Sequence, residues 1–335
     1  MTQSPTTIDE LMLAVASHLD EILPRATRDA RDLHAAMHHA VMGGGKRLRP
    51  RLLLSVVLAS HDGTPDEHTL DLAVRAAVAV ELIHAASLVH DDLPCFDDAE
   101  LRRGQATVHR AFGEPMAVLA GDALITLAFE VLAAHTGPDA RAVVRLVALL
   151  SEATGATQGI IGGQSLELLN DETDYDAEFV REYHRAKTAA LFRFATRAAA
   201  VIVHASPGHE RRWGRVGTNL GLCLQLLDDL LDLRGSDEST GKTTGRDLAL
   251  GRPNGVLAEG SATVFRRLER LVETSNALVD ELSVDPRPVR SLLDRFDAMR
   301  TSARQSAAND NPCHAAPPRT TGKCELRLVP RPAVG

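Results

Sequence analysis

Residues 71–92, DLAVRAAVAVELIHAASLVHDD, decide the fold class because Ala, Leu and Val fill the segment and neither Gly nor Pro interrupts it. This composition favours a long helix, and residues 182–203 have the same character. Little of the chain alternates with the period of two that is typical of a strand. We therefore predict an all-α fold of roughly ten or more helices, with turns where Gly, Pro, Asp and Ser gather. These turn segments are residues 43–45, 62–67, 136–139, 206–208 and 234–247.

The composition also sets the extent of the folded part. The chain has 335 residues, and its last segment loses helical periodicity and accumulates Pro. We predict one folded domain over residues 1–303 and a disordered tail over residues 304–335.

Charge and cysteine content argue against several classes of function. A formal net charge of -8 argues against nucleic acid as the main partner, because phosphate backbones require basic surfaces. The cysteines have no CxxC or other metal-ligand spacing, so we expect reduced thiols and no zinc site. No apolar run reaches the ~20 residues that span a bilayer, and no signal peptide is indicated. We therefore expect no membrane span and a cytoplasmic location. The cysteines are Cys95, Cys223, Cys313 and Cys324.

Residues 220–235, LGLCLQLLDDLLDLRG, contain an acidic cluster on a predicted helix. Asp228 and Asp232 are four residues apart and so share one helix face, with Asp229 close by. Like charges at this spacing repel, and a divalent ion that prefers oxygen ligands, Mg²⁺ or Mn²⁺, would neutralise them. For this cluster alone, a solvated helix face with Arg234 as ion partner remains open.

A second acidic cluster in residues 88–104, LVHDDLPCFDDAELRRG, favours the metal interpretation. Asp91 and Asp92 end the long helix, Pro94 disfavours its continuation, and Asp97 follows six residues after Asp91. A local kink there could aim the carboxylates of Asp91 and Asp97 at one ion. Two such clusters in one chain are not expected by chance.

Basic residues near these clusters indicate what the metal would hold. Lys46, Arg47 and Arg49 follow three consecutive glycines, and a flexible turn with three cations is suited to a diphosphate. Each of these residues alone could be an ordinary surface cation. Together they describe a cavity in which carboxylates bind Mg²⁺ and cations bind phosphate. The other candidates are Arg102, Arg103, Lys187 beside Thr188, and Lys242.

Six stretches, in this order, resemble those of the trans-isoprenyl diphosphate synthases, the polyprenyl synthetase family. The resemblance covers about residues 40–260 and implies a helical bundle around a deep central cavity, usually a homodimer. It implies that the chain condenses isopentenyl diphosphate with allylic diphosphates (DMAPP, GPP, FPP) head to tail. The stretches are GGGKRLRP, ELIHAASLVHDDLPCFDDAELRRG, GDALITLAFE, GGQSLEL, HRAKTAALF and LQLLDDLLDLRGSDESTGK.

The resemblance also implies roles for individual residues. Asp91 and Asp97 on one wall and Asp228 and Asp232 on the other would bind about three Mg²⁺ ions, or Mn²⁺, carried by the allylic diphosphate. Asp92 and Asp229 would support them. Arg102, Lys187, Thr188, Gln225 and Lys242 would hold the allylic diphosphate, and Lys46, Arg49, His84 and Arg103 the isopentenyl diphosphate. The candidate catalytic residues are Asp91, Asp92, Asp97, Arg102, Lys187, Asp228 and Lys242.

The chemistry requires these residue types. Breaking the allylic carbon–oxygen bond leaves a carbocation and a departing pyrophosphate, so negative charge on the leaving group must be stabilised. The homoallylic double bond then attacks the cation, and the released pyrophosphate could accept the proton that is lost. An apolar cavity lined by Ala and Leu would exclude the water that quenches the cation. His84 alone could equally be a satisfied core histidine.

Product length depends on the cavity wall below Asp91. Ser87 and Ala86 lie about one helical turn, ~5 Å, deeper on the same helix, and both are small. In the family an aromatic residue at the Ala86 position stops growth at fifteen carbons. We therefore expect the twenty-carbon product, geranylgeranyl diphosphate, with farnesyl diphosphate as the alternative. Bulk from another helix, such as Phe129 or Met116, could close the pocket earlier.

Other classes of protein explain the sequence less well. A terpene cyclase would leave residues 43–50 unexplained, because it needs no second diphosphate site. A metal phosphohydrolase that used His90 and Asp91 would want more histidine ligands. A non-catalytic partner subunit would be favoured by loss of an acidic motif, and both motifs are intact. The chain departs from the family at Arg252, where many relatives carry Lys, and after residue 260.

Overall fold

The computed structural model describes residues 7–25, 31–168, 175–232 and 252–309, which form helices and one short hairpin. The prediction of an all-α fold is confirmed. The helices are α1 (Ile8–Ile22), α2 (Arg31–Met42), α3 (Leu48–Ser60), α4 (Glu67–Asp91), α5 (Val108–Phe112), α6 (Glu114–Ala133), α7 (Ala140–Thr154), α8 (Ile160–Leu168), α9 (Ala177–Lys187), α10 (Ala189–Ile202), α11 (Pro207–Asp232), α12 (Gly255–Glu259), α13 (Ser261–Leu282) and α14 (Arg287–Asn309). The hairpin consists of β1 (Leu101–Arg102) and β2 (Gln105–Ala106).

Helix α4 is the central helix of the bundle and packs against α1, α3, α6 and α10. Its side-chain cap is Asp66, whose carboxylate accepts a hydrogen bond from the Thr69 backbone N–H at 2.7 Å. The middle of the helix is fully buried and consists largely of Ala and Val, whose small side chains let neighbouring helices approach closely. The polar C-terminal end of α4, which carries Asp91, therefore follows directly on the part of the helix that is buried in the core.

Helix α6 runs antiparallel to α4. Arg75, near the start of α4, donates to the Val131 carbonyl at 3.4 Å, and His90, near its end, contacts the Val118 carbonyl at 3.3 Å. Residues deeper along α4 from Asp91 therefore lie beside residues later in α6. This pairing sets which side chains of the two helices can share one cavity.

Among the helices that the structure describes, α4 and α6 are long and apolar enough to cross a membrane by length and composition. The most apolar 18-residue segment of α4 is 78% buried, and that of α6 is 39% buried. The core position of α4 explains its apolar composition. α6 has an exposed apolar face that includes Val118 and Leu119, which are 41% and 52% exposed.

The structure describes the region of the predicted domain boundary at residue 303 and two of the four cysteines. α14 continues to Asn309, beyond the boundary predicted at residue 303, and residues 310–335 lie outside the described residues. Cys95 is an exposed free thiol and Cys223 a buried one. Cys313 and Cys324, like the predicted turn at 234–247, lie outside the described residues.

Candidate active site

The hairpin after α4 positions Arg102 and Arg103. The two residues of its turn, Arg103 and Gly104, have φ of 53° and 79°, as the tight turn between antiparallel strands requires. Arg102 turns back to the end of α4, and its Nε donates to Asp92 Oδ1 at 3.0 Å. Asp92 is buried, so its carboxylate is committed to this ion pair.

The glycines before α3 make room for Arg103. A Cβ at Gly45 would lie 2.6 Å from Arg103 Cζ, and the Arg103 guanidinium donates to the Gly44 carbonyl. Gly45 also has a φ of 130°, which side-chain-bearing residues rarely adopt. The Gly-rich turn and the hairpin therefore meet, and Arg103 joins the cations of residues 43–50.

Arg49 and His84 form the half-buried part of this basic region. The Arg49 guanidinium lies 4.8 Å from the centre of the Phe192 ring, and its Nε has no hydrogen-bond partner among the described residues. Burial lowers the pKa of Arg49 to about 10, with Glu81 opposing the shift, so the side chain stays charged at neutral pH. Burial and the nearby Arg49 and Arg103 hold the pKa of His84 well below its usual range, so its imidazole is neutral.

The two remaining cations of the turn differ from Arg49. Lys46 is exposed. Arg47 forms an ion pair with Glu81 and donates to the Val41 carbonyl, so it ties α4 to the end of α2. Arg47 thus has a structural role, whereas Arg49 and Arg103 pair with no carboxylate at hydrogen-bond distance among the described residues.

Asp91, Glu167 and Lys187 meet at the end of α4. Lys187 Nζ donates to Glu167, and the Tyr183 hydroxyl donates to the same carboxylate at 3.0 Å. Burial raises the pKa of Asp91, Lys187 opposes the rise and Glu167 adds to it. Sequence reasoning missed Glu167, because a single Glu in GGQSLEL gives no signal of the cations that gather around it.

Arg252 joins this cluster from the segment before α12. It forms ion pairs with Asp97 and, through Nε at 3.2 Å, with Glu167 Oε1. Burial lowers the pKa of Arg252, and the charge of Asp91 opposes that shift. The structure therefore brings Asp91 and Asp97 together with Lys187 and Arg252, in a cluster of nearly balanced charge.

On α11, Asp229 has a different setting. Thr188 Oγ1 donates to Gln225 Oε1 at 2.6 Å, and Gln225 Nε2 donates to Asp229 Oδ1 at 2.9 Å. Asp229 is fully buried, and its other oxygen accepts from the Gly255 backbone N–H at 2.7 Å. This chain of hydrogen bonds joins the break between α9 and α10, at Thr188, to α11 and to the start of α12.

The other acids of α11 are closer to solvent. Asp228 is exposed, and its negative charge opposes the lowering of the Arg49 pKa. Asp232 is partly exposed, and Lys242 lies outside the described residues. We call Asp91, Asp92 and Asp97 the first aspartate bank, and Asp228, Asp229 and Asp232 the second.

A cavity of about 350 Å³ extends from Asp91 between α4, α6, α7 and α8. We call it the tail cavity. Ser87 and Ile83 line it on α4, and Ala86 does not, because successive helical residues are ~100° apart and Ala86 points ~140° away from Asp91. Ala86 is 1% exposed. The other lining residues are His90, Phe96, Ile125, Thr154, Ile160, Ile161, Gln164, Ser165 and Leu168, so neither Phe129 nor Met116 lines it.

Two glycines fix the chain around Lys187. A Cβ at Gly163 in α8 would lie 2.3 Å from the Lys187 backbone nitrogen, and one at Gly221 in α11 would lie 2.5 Å from Ala189 Cα. The junction of α9 and α10 is thus clamped between the backbones of two other helices. The clamp holds Lys187, whose charge acts on Asp91, and Thr188, which binds Gln225 and through it Asp229.

The donor set suits Mg²⁺ that is shared with a ligand. Asp91, Asp97 and Asp228 offer carboxylate oxygens, which Mg²⁺ prefers. Among the described residues, no three acidic, histidine or cysteine side chains are grouped closely enough to hold a metal by themselves.

Comparison with known proteins identifies relatives of the chain. The family model described as Polyprenyl synthetase matches residues 30–281. Over 241 residues, 72% of this chain and 78% of the relative, the chain is 44% identical to a geranylgeranyl diphosphate synthase of Cereibacter sphaeroides. It is 38% identical to a farnesyl diphosphate synthase of Bacillus subtilis over 217 residues, 64% of this chain and 71% of that one.

A solved structure has the same fold. A geranyltransferase from Helicobacter pylori, complexed with magnesium and isoprenyl diphosphate, superposes with a TM-score of 0.76 at 28% identity. The match covers 91% of this chain and 99% of that one.

Proposed function

The chain belongs to the polyprenyl synthetase family, and from that premise we propose that it is a Mg²⁺-dependent geranylgeranyl diphosphate synthase. It condenses isopentenyl diphosphate with allylic diphosphates until the chain reaches twenty carbons. One arrangement carries this proposal: Asp91 and Asp97 meet the cations Lys187 and Arg252 at the mouth of the apolar tail cavity. The relative named as a geranylgeranyl synthase is also more similar, at 44% identity, than the farnesyl synthase at 38%.

The basic groups divide into two sets that suit two diphosphates. Lys187, Arg252 and Arg102 border the first aspartate bank and would hold the allylic diphosphate. Arg49 and Arg103 border the neutral His84 and would hold the isopentenyl diphosphate. When bound, Mg²⁺ would neutralise charge on the departing pyrophosphate, and Asp91, Asp97 and Asp228 are its proposed ligands. The proposed contacts of Lys46 and Lys242 with the diphosphates, and of Asp232 with Mg²⁺, rest on the sequence alone.

The cavity and the cations would perform the chemistry together. The Lys and Arg side chains would stabilise the pyrophosphate as the carbon–oxygen bond breaks, and their fixed positions require no rearrangement at that moment. Ile83, Ile125, Ile160 and Phe96 would keep water from the carbocation. Two diphosphate sites near the end of α4 would hold the double bond and the carbocation as neighbours.

Product analysis tests the proposed function. Purified protein is incubated with Mg²⁺, isopentenyl diphosphate and each allylic diphosphate in turn, and the dephosphorylated products are separated by chromatography. We expect geranylgeraniol as the main product from every allylic substrate. A dominant fifteen-carbon product would make the chain a farnesyl synthase, and a cyclic hydrocarbon would place it among the cyclases. Absence of any prenyl product, with both substrates bound, would support a non-catalytic subunit.

Chain length is proposed to depend on Ser87. Ser87 and Ile83 lie about 6 Å and 12 Å along α4 from Asp91, so a tail that enters at Asp91 passes Ser87 first. We predict that Ser87→Tyr shortens the main product to fifteen carbons or fewer, measured by the same chromatography. Ala86→Tyr is the matched control, because a ring at that buried position must displace the core and should lower stability more than product length. Equal shortening by both would contradict this assignment.

We propose that the protein is a cytoplasmic homodimer in which a second copy covers α6. The exposed apolar residues Val118 and Leu119 lie on this helix, whose most apolar window is 39% buried. An apolar face of this kind is typical of an interface between subunits. We predict a molecular mass of two chains by light scattering, and a single chain for Leu119→Glu. A single-chain mass for the unaltered protein would contradict the proposal.

A further inference from the structure

The Glu167 carboxylate binds donors from two other segments of the chain. Its Oε1 atom accepts the Tyr183 hydroxyl at 3.0 Å and lies 3.2 Å from Arg252 Nε, and its Oε2 atom accepts from Lys187 Nζ. The Glu167 side chain is only 6% exposed, so these groups balance its charge inside the protein. The position of Glu167 therefore fixes where Lys187 and Arg252 lie relative to each other.

Helices α8 and α9 face each other through this carboxylate. Gly163 and Glu167 are four residues apart on α8, so they share one helix face. Tyr183 and Lys187 have the same spacing on α9. The bare Gly163 lets the α9 backbone approach, since a Cβ there would lie 2.3 Å from the Lys187 backbone nitrogen. The bond between Tyr183 and Glu167 is thus supported by the close packing of two helix backbones.

Tyr183 differs from the other two donors, because it is not a proposed ligand of the diphosphate. Lys187 and Arg252 carry the charges that would hold the leaving group, whereas the phenol is neutral, and Tyr183 is 6% exposed. The Tyr183 ring also lies beside Lys187, with Nζ 5.7 Å from the ring centre. When the two cations turn to a bound diphosphate, the Tyr183 hydroxyl would still hold Glu167. Tyr183 therefore contacts both members of the Lys187–Glu167 ion pair.

The cluster belongs to the allylic side of the site. The charge of Lys187 opposes the raised pKa of Asp91, and the charge of Glu167 adds to it. By contrast, the charges that act on the pKa of His84, in the set proposed for isopentenyl diphosphate, are those of its neighbouring arginines. A change in the orientation of Glu167 should therefore affect one diphosphate site more than the other.

We propose that Tyr183 is a positioning residue for the allylic diphosphate. This inference rests on the proposed function. The hydroxyl orients the Glu167 carboxylate, which in turn holds Lys187 and Arg252 side by side, where both would reach the diphosphate. No bond forms or breaks at Tyr183, so it acts only through the residues that it holds. Its loss should weaken the allylic site and spare the isopentenyl site.

Removing one oxygen atom tests this role. Tyr183→Phe keeps the ring beside Lys187 and removes the hydrogen bond to Glu167. We expect KM for the allylic diphosphate to rise by ~5- to 10-fold, while KM for isopentenyl diphosphate changes by less than about twofold and kcat by no more than about threefold. Tyr175→Phe is the matched control, because Tyr175 is the only other tyrosine and stacks on Phe179 with ring centres 5.3 Å apart. Its kinetics should match those of the unaltered enzyme.

A double-mutant cycle tests whether Tyr183 acts through Glu167. Glu167→Met removes the acceptor at similar side-chain length, and we expect it to raise the allylic KM by ~10-fold or more. In that background Tyr183→Phe should change KM by less than about twofold, because the hydroxyl has lost the group that it orients. Should Glu167→Met not fold, the two KM values of Tyr183→Phe still decide the question.

Binding of inorganic pyrophosphate tests the inference without turnover. Calorimetry in the presence of Mg²⁺ measures its Kd for each variant. We expect a Kd ~5-fold higher for Tyr183→Phe and an unchanged Kd for Tyr175→Phe.

The outcomes separate the inference from the proposed function. Unchanged KM values in Tyr183→Phe, with a lowered melting temperature, would make the hydroxyl a stabilising group alone and would overturn the inference. Equal rises in both KM values, or full additivity with Glu167→Met, would also overturn it. If the unaltered protein forms no prenyl product but binds pyrophosphate more tightly than Tyr183→Phe does, the proposed function fails and the positioning role stands.

Discussion

Asp92 in the first aspartate bank and Asp229 in the second are both buried, yet their partners differ in kind. Asp92 is bound by the charged side chain of Arg102, whereas Asp229 is bound by the Gly255 backbone and the Gln225 amide. The remaining acids differ too, because Asp97 pairs with Arg252 and Asp228 is exposed. In the first bank, Arg102 and Arg252 form ion pairs with the carboxylates. In the second, the Asp229 carboxylate holds the backbone at the start of α12. Similar acidic motifs therefore combine a buried structural carboxylate with ion-paired or exposed ones in different ways.

The largest expected effect tests whether Asp91 and Asp228 serve one function from opposite walls. Asp91→Asn and Asp228→Asn should each lower kcat/KM by ~10³-fold, because each removes a charged oxygen from a shared metal site. Steady-state kinetics at saturating Mg²⁺ would measure this loss. Asp98→Asn, an exposed acid of the same loop that pairs with Arg110, is the control and should stay near the unaltered rate. A variant of either bank that keeps a tenth of the activity would show that the banks are not equivalent.

The next effect distinguishes Asp229 from its neighbour Asp228. Asp229→Asn should lower the free energy of unfolding by ~2–3 kcal/mol, because the buried Gly255 N–H loses a charged acceptor. Urea unfolding followed by circular dichroism would measure it. Asp228→Asn, at an exposed position, should change stability by no more than ~0.5 kcal/mol. Equal stability losses in the two variants would contradict a structural role confined to Asp229.

The smallest effect concerns the arginine that covers Asp97. Removing its charge by Arg252→Gln should strengthen Mn²⁺ binding to the substrate-free protein by ~3- to 10-fold, because the ion no longer competes with a guanidinium. Electron paramagnetic resonance of free Mn²⁺ would measure the affinity. Arg110→Gln, which removes an exposed arginine near the same loop, should leave it unchanged. Weaker Mn²⁺ binding in Arg252→Gln would show that Arg252 organises the site and does not mask it.

Local patterns in the sequence were enough to predict the helices and the acids. The Ala-rich run of residues 71–92 predicted α4, and Pro94 predicted that the helix ends near Asp91. The hairpin of residues 101–106 was not predicted, because it contains only two pairs of residues and its positive φ angles fall on Arg103 and Gly104.

Contacts between distant segments could not be predicted in the same way. Glu167 meets Lys187 and Arg252 only because α8, α9 and the segment before α12 converge. Arg47 looked like a phosphate ligand, yet Glu81 lies within reach in the folded chain. Ala86 is different, since helical geometry alone separates it from Ser87, and that argument was available from the sequence.

The glycine clamp at Gly163 and Gly221 limits how this protein can change. A methyl group at either position would enter the backbone beside Lys187 or Ala189, where no side chain can swing aside. Under the proposed role of Ser87 and Ile83, selection or engineering for other product lengths is free to vary these residues on the wall of the tail cavity but must leave both glycines in place. The same fold can therefore change its product by substitutions in α4, while Gly163 and Gly221 keep Lys187 in place for the ionisation step.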